Sequence, residues 1–350
     1  MPDELTGAHP QTLDRVAWVL RLAMGMPDEG PPASWSAILD TAMDERCAAL
    51  AWVRSGERIR RQAPAGDVAR WRAFAVANDA HCRVQQSALR EVLELLLARG
   101  VRPVVLKGAP LSFRLYGDAG ARTTDDIDIY VPEEARRRTR DTLLAHGWRP
   151  HYSESMLDDC YLRPGGEWHG GDIFLEVHTA LVSELLAHAP LREPMVEPSP
   201  SSGGELPTLA GAALPVYLAA HLAKHQLPSL LWHVDFATLW RSLDLAERRE
   251  AEALARRARL SKWLDWAVRR ASLLEPAAHG DVAALRALGF GPEGRCVTHG
   301  IREFITHSDS PLDAARVLGA IIWPRHLRGD VPAFVALSAR RVRARFQGAR

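Results

Sequence analysis

The sequence predicts an α/β (α+β) protein in which a small sheet-bearing unit is flanked by an N-terminal and a C-terminal helical unit. Three observations carry that prediction. Apolar residues recur at three- and four-residue spacings through the first hundred residues and again beyond residue 208. Between about residues 100 and 182 the period shortens to strict alternation, the mark of strands. A Pro-, Ser- and Gly-rich segment, "EPMVEPSPSSGGELP", separates that stretch from the second helical one. The division predicted is a helical unit over 1–99, an α/β core over 100–192, a linker over 193–207 and a helical unit over 208–350.

The N-terminal helices are "LDRVAWVLRLAMG", "SWSAILDTAMDERCAALAWVRSG" and a long segment from "DVARWRAF" to "VLELLLARG". Leu89, Val92, Leu93, Leu96 and Leu97 form one apolar stripe in the last of these, and Gly100 is a suitable stop. "VRPVVLKG" is too short for a helix and is rich in β-branched residues, so it reads as a buried strand. In "DIDIYV" the residues Ile127, Ile129 and Val131 occupy one face and Asp126, Asp128 and Tyr130 the other. Pro132 with Glu133 and Glu134 opens a helix that ends at Gly147. A third strand follows in "DIFLEVHTAL", with Glu176 and His178 on one side. The C-terminal helices are "LPVYLAAHLAKH", "SLLWHVDFATLWRSL", "ERREAEALARRARL" and "KWLDWAVRRASLL", in which Trp232, Trp240, Trp263 and Trp266 fall at core spacings.

Composition narrows the function class. The 350 residues carry 44 Lys plus Arg against 43 Asp plus Glu, so no bulk attraction to nucleic acid is expected and any such contact needs a local patch. The arginine-rich tail "SARRVRARFQGAR" is a solvated helix face before it is an RNA-binding arm, and nucleic acid is not the favoured partner. Cys47, Cys82, Cys160 and Cys296 are far apart without CxxC spacing, which argues against structural zinc or a disulfide framework and fits a reducing, cytoplasmic setting. No segment approaches the roughly 18 apolar residues of a membrane span.

The chemistry concentrates in three carboxylates. Asp126 and Asp128 share a strand face, and Glu176 joins them if the two strands pair. Like charges so close need a positive species, and an oxygen-only cluster suits Mg²⁺ or Mn²⁺ bound together with phosphates. On this reading, neutralising either aspartate relieves repulsion and leaves stability unchanged or higher. Gly108 offers a bare backbone for close approach of phosphate, with Lys107 beside it. Asp125 points opposite to Asp126 and reads as a strand-entry residue.

The strings "LKG", "R..DDIDIYV" and "LEVHTAL" resemble the polymerase-β-type nucleotidyltransferase superfamily, specifically its bacterial branch of uncharacterised nucleotidyltransferases. "HLAKH", "LLWHVDFATLW" and "IIWPRHL" extend the resemblance over roughly residues 85–330. It implies a minimal nucleotidyltransferase sheet, an NTP substrate, Mg²⁺ or Mn²⁺ on Asp126, Asp128 and Glu176, and transfer of an NMP group to an acceptor hydroxyl or phosphate with release of pyrophosphate. It further implies that Arg122 touches phosphate or orients a carboxylate, and that Lys224 and Asp235 line the nucleotide cleft, with His225 a core or interface histidine. Ala109 stands where the superfamily often has Gly or Ser, leaving Ser112 as the replacement hydroxyl. The resemblance leaves the acceptor open among a small molecule, a ribosomal peptide and RNA. The rival readings on the same frame are a phosphotransferase, a toxin-like transferase and an inactive nucleotide-binding protein.

Overall fold

The computed structural model describes residues 10–27, 32, 34–151, 159–165, 171–182, 196–201, 204–224, 229–291 and 294–295, with only the backbone described at 10–11, 196–201, 204, 224, 291 and 294–295. His225, the "IIWPRHL" string, Cys296 and the arginine-rich tail fall outside them. Four helices come first: α1 (Pro10–Met24), α2 (Trp35–Asp44), α3 (Ala48–Gln62) and the 34-residue α4 (Ala65–Ala98). Ser34 caps α2 by accepting from the Ala37 amide. Gly100, at φ +71°, turns the chain out of α4 as expected.

The sheet follows. Strand β1 (Val104–Val105) leads through Lys107 and Gly108 into α5 (Ala109–Tyr116); then come β2 (Asp126–Tyr130), a 3-10 turn over Glu133–Ala135, and α6 (Arg136–Ala145). Strands β3 (Arg149–His151), β4 (Asp159–Pro164), β5 (Asp172–His178), β6 (Val196–Ser201) and β7 (Gly204–Leu209) complete it. The order is β3-β4-β5-β2-β1-β7-β6, a mixed sheet in which β2 runs parallel to β5 and antiparallel to β1. Four of these strands were not expected. In particular, residues 196–201 and 204–209 form an antiparallel hairpin at the sheet edge rather than a linker. Prolines in an edge strand cost no ladder bond when their missing N–H faces away from the partner, so a Pro-rich segment can be a strand there.

Helices α7 (Ala213–Lys224), α8 (Leu230–Ser242), α9 (Leu245–Arg257), α10 (Ser261–Ala278) and α11 (Val282–Ala287) follow. Asp244 and Glu247 form a reciprocal capping box at the start of α9.

Two cores result. One lies between the sheet and α4 and α6: Leu89, Val92, Leu93 and Leu96 meet Ile127, Ile129, Leu175, Val177 and Leu143. The other joins α1–α3 to α7–α11 and reaches the opposite face of the sheet through Val104, Leu106 and Tyr130. Trp263 and Trp266 are buried in it, as their spacing predicts. With one face of β2 given to the first core, Asp126 and Asp128 are left on the other side, facing the helices of the second. Among the described residues no helix is long and apolar enough to cross a membrane.

Candidate active site

Strand β1 delivers the first pieces of the site. Its ladder with β2 ends where the Leu106 amide donates to the Asp128 carbonyl (3.1 Å). Gly108 then takes φ +80°, ψ −144°, a conformation that side-chain-bearing residues avoid, and starts α5 with Pro110 in the first turn. A Cβ on Gly108 would meet nothing within 4 Å, so the space before this helix start is open.

Parallel pairing of β2 with β5 sets Asp128 directly beside Glu176, and Asp126 beside Phe174. The three carboxylates therefore share one face, as their alternation predicts. One ligand atom each from Asp128, Glu176 and His178 lies within 4.8 Å of the others. The sequence places His178 two residues beyond Glu176, on the same side of β5, but assigns it no role. The His178 Nε2 is hydrogen-bonded to Asp128 Oδ1 at 3.0 Å and lies 3.6 Å from Glu176 Oε2, close but beyond hydrogen-bond range.

The positive species between the aspartates is Lys107. Its ammonium lies 3.0 Å from Asp128 Oδ2 and 3.5 Å from Asp126 Oδ1, and the side chain is 9% exposed. Burial pushes this lysine down, but Asp126 and Asp128 outweigh burial and hold the ammonium above the ordinary lysine range. Asp128 is likewise pushed up by burial and pulled down further by Lys107 and His178, ending well below the usual carboxylate range. Asp126, burdened by burial and by Asp128, is raised. Glu176 is pushed up to about 6 by burial, then by Asp128. One face thus carries a firmly ionised aspartate next to two carboxylates that hold protons more readily.

The loop entering β2 is fixed from both helical regions. On the α4 side, Asn78 Nδ2 donates to the Gly120 carbonyl (2.7 Å) and His81 Nε2 lies 3.0 Å from the Thr124 carbonyl. On the α8 side, Arg122 Nε donates to Asp235 Oδ2 (2.8 Å), and the Tyr116 hydroxyl donates to Asp235 Oδ1 (2.6 Å). Arg122 and Asp235 are both buried. The structure therefore gives Arg122 to a carboxylate 113 residues away and not to an open phosphate position, and it sets Asp235 in a buried brace and not on an open cleft wall. Burial pushes the Arg122 guanidinium down but Asp235 more than offsets it, and burial together with Asp235 drives the Tyr116 hydroxyl well above its ordinary value.

Ser112 is not a stand-in phosphate ligand either. It is buried, donates to the Asp118 carbonyl (2.7 Å) and accepts from the Arg122 amide (3.0 Å), locking the same loop. Asp125 pairs with Arg46 away from the acid cluster, in keeping with its expected direction. Lys224 is the last residue of α7, and its side chain lies outside the described residues.

A small crevice, about large enough for a water molecule, lies among Gln85, Gln86, Lys107, Gly108, Ala109, Asp126 and Asp128. The open helix start and the acid face thus border one space. Among the described residues, three carboxylates share this face and Lys107 pairs with two of them, an excess of negative charge that a divalent cation would relieve. The donors are hard oxygens, and His178 supplies the hydrogen bond that commonly orients a ligating carboxylate. Asp128, Glu176 and His178 are placed so that together they could hold a metal ion.

A sequence profile of the uncharacterised nucleotidyltransferase family matches residues 31–274. The chain belongs to that family. Its match spans α2 to α10 and so includes the whole sheet, the acid face and the Arg122–Asp235 brace. No curated protein matches the chain. The mixed helix-and-sheet architecture agrees with the α/β nucleotidyltransferase fold expected of this family.

Proposed function

We propose that the protein transfers a nucleoside monophosphate from an NTP to an acceptor hydroxyl or phosphate on a small molecule, peptide or RNA, in a bacterial cytoplasm, and releases pyrophosphate. The observation that carries the reading is the pairing of Asp128 with Glu176 on adjacent parallel strands, with Asp128 sharing a small crevice with Gly108 at the start of α5. Asp126, Asp128 and Glu176 would hold Mg²⁺ or Mn²⁺. A bound divalent ion supplies positive charge for the phosphate oxygens and for the leaving pyrophosphate.

The chain's own groups account for the remaining steps. Backbone amides after Gly108, at the positive end of α5, receive the phosphates together with Lys107. Glu176, whose carboxyl is pushed up to about 6, takes the proton of the acceptor hydroxyl. The freed acceptor oxygen bonds to the α-phosphorus as the bond to the pyrophosphate oxygen breaks. His178 keeps Asp128 oriented throughout through its 3.0 Å hydrogen bond.

The test asks which phosphorus moves. With Mg²⁺ and each of the four NTPs, labelled separately at the α and γ positions, only the α label should appear on an acceptor in cell extract or on a candidate peptide. Glu176→Gln should lose transfer while retaining NTP binding. Movement of the γ label would make the protein a phosphotransferase, and tight NTP binding with no movement of either label would make it a binding protein.

A further inference from the structure

We propose that Lys107 is an internal cation that occupies the position between Asp126 and Asp128 until a divalent metal displaces it, and that the displaced ammonium then becomes a ligand of the triphosphate. The inference rests on the metal reading above. Its first support is geometric. The ammonium lies 3.0 Å and 3.5 Å from one oxygen of each aspartate, which is where an ion bridging the two carboxylates belongs. A metal binds carboxylate oxygens at about 2.0–2.1 Å, and an ammonium cannot share those oxygens at such a range without severe like-charge repulsion. The two cations are therefore alternatives.

The second support is where the ammonium can go. Lys107 directly precedes Gly108 and already lines the small crevice it shares with Gly108, Ala109, Pro110, Asp126 and Asp128, so a change in its flexible stem alone can turn the ammonium towards the start of α5. Only the side chain needs to swing. There the ammonium meets whatever anion the α5 start receives.

Composition supplies a third argument. Of 44 Lys plus Arg residues only three are lysines, namely Lys107, Lys224 and Lys262. A compact point charge that can change partners suits the exchange, whereas a guanidinium fork is built to hold one planar partner, as Arg122 holds Asp235. The consequence is coupling: metal without nucleotide must overcome Lys107, and nucleotide without metal finds Lys107 engaged, so each ligand should promote the other.

The experiment is Mn²⁺ binding by the full chain, followed by the electron paramagnetic resonance of free Mn²⁺, for wild type, Lys107→Met, Lys107→Gln and Asp128→Asn, with and without a non-hydrolysable ATP analogue. Without nucleotide, both Lys107 variants should bind Mn²⁺ about tenfold or more tightly than wild type, since one removed charge at this range commonly moves such an equilibrium by one to three decades. The nucleotide analogue should tighten Mn²⁺ binding in wild type and have much less effect in the Lys107 variants. A measurement on wild type alone guards against variants that fail to fold. With acetic anhydride and mass spectrometry, Lys107 should acylate slowly after treatment with chelator and several-fold faster after addition of Mn²⁺, against Lys262 as the internal reference. If Mn²⁺ binds wild type and the Lys107 variants equally while Asp128→Asn abolishes binding, the lysine does not compete; the inference falls and the metal site stands. If wild type and the Lys107 variants all fail to take up Mn²⁺, the metal site falls and the inference with it.

Discussion

Asp126 and Asp128 share a strand face and a counter-ion, yet their neutralisation should have unequal effects on stability. Asp128 is buried, lies 3.0 Å from the Lys107 ammonium and accepts from His178 at 3.0 Å. Asp128→Asn removes the nearer half of a buried ion pair. Breaking such a pair costs about 3–5 kcal/mol when nothing compensates the charge left behind. Asp126 remains 3.5 Å from the ammonium and relief of the repulsion between the aspartates offsets part of the loss, so about 2–3 kcal/mol is expected for Asp128→Asn. Asp126 is more exposed and already holds its proton more readily because of burial and of Asp128. Asp126→Asn should fall between no change and a gain of about 1 kcal/mol. Urea unfolding at pH 7 with chelator present, read by tryptophan fluorescence, measures both. Equal effects, or a gain in both variants, would refute the asymmetric placement of Lys107 and restore simple repulsion between two solvated acids.

Three further outcomes are expected. Arg122→Met should cost about 3–5 kcal/mol because it leaves Asp235 buried without its partner, and adding Asp235→Leu should recover most of that; loss of NTP binding with no loss of stability would instead make Arg122 a phosphate ligand. Gly108→Ala should cost about 1–2 kcal/mol through its φ of +80° alone, since no atom lies within 4 Å of the new methyl group, and full stability in a thermal melt would contradict that backbone geometry. Glu91 accepts two hydrogen bonds from Arg163 (2.6 and 2.8 Å), which lower its carboxyl; a depressed folded value gives stability that is present above about pH 4.3 and lost as the pH falls through the folded value, so Glu91→Gln should cost no more than about 0.5 kcal/mol at pH 7 and progressively less below pH 4, as urea midpoints would report.

Which parts of the site the sequence discloses follows from the range of the interactions that build it. Alternation is local, so the shared face of Asp126 and Asp128 and the matching face of Glu176 are readable, and pairing of β2 with β5 brings them together. His178 was equally readable by position, but a histidine two residues from an acid gives no separate signal until the strands are paired. Lys107 is harder. Strict alternation in β1 points it away from the side of Asp128, and only the end of the ladder at Leu106 lets its ammonium reach the acids. Repulsion between Asp126 and Asp128 calls for a cation without saying which, because the internal one depends on tertiary geometry. The β6–β7 hairpin is masked by prolines, of which Pro198 and Pro200 lie on the edge strand β6, where such residues are tolerated. The Arg122–Asp235 pair spans 113 residues, beyond what any local pattern carries.

The same brace explains why the helical regions belong to the site's chemistry rather than merely flanking it. The loop over residues 118–124 carries the chain from α5 into β2, and a slip of one residue at its end would turn Asp126 and Asp128 to the other face of the sheet. Backbone hydrogen bonds alone do not prevent that, since the loop has few of them. Asn78 and His81 of α4 hold its carbonyls, Ser112 of α5 holds it at Asp118 and Arg122, and Asp235 of α8 holds the Arg122 side chain. The contacts come from three different helices, so the register of the acid strand is set by the joint packing of α4, α5 and α8. Tyr116 extends the arrangement, because its hydrogen bond to Asp235 ties the end of α5, the helix that starts at Gly108, to the carboxylate that fixes Arg122. The two ends of α5 therefore face different tasks, one open to the crevice and one anchored in the core. A helix clamped at its C-terminal end presents its N-terminal amides at a fixed distance from the carboxylates, and fixed donors are what stabilisation of developing phosphate charge requires.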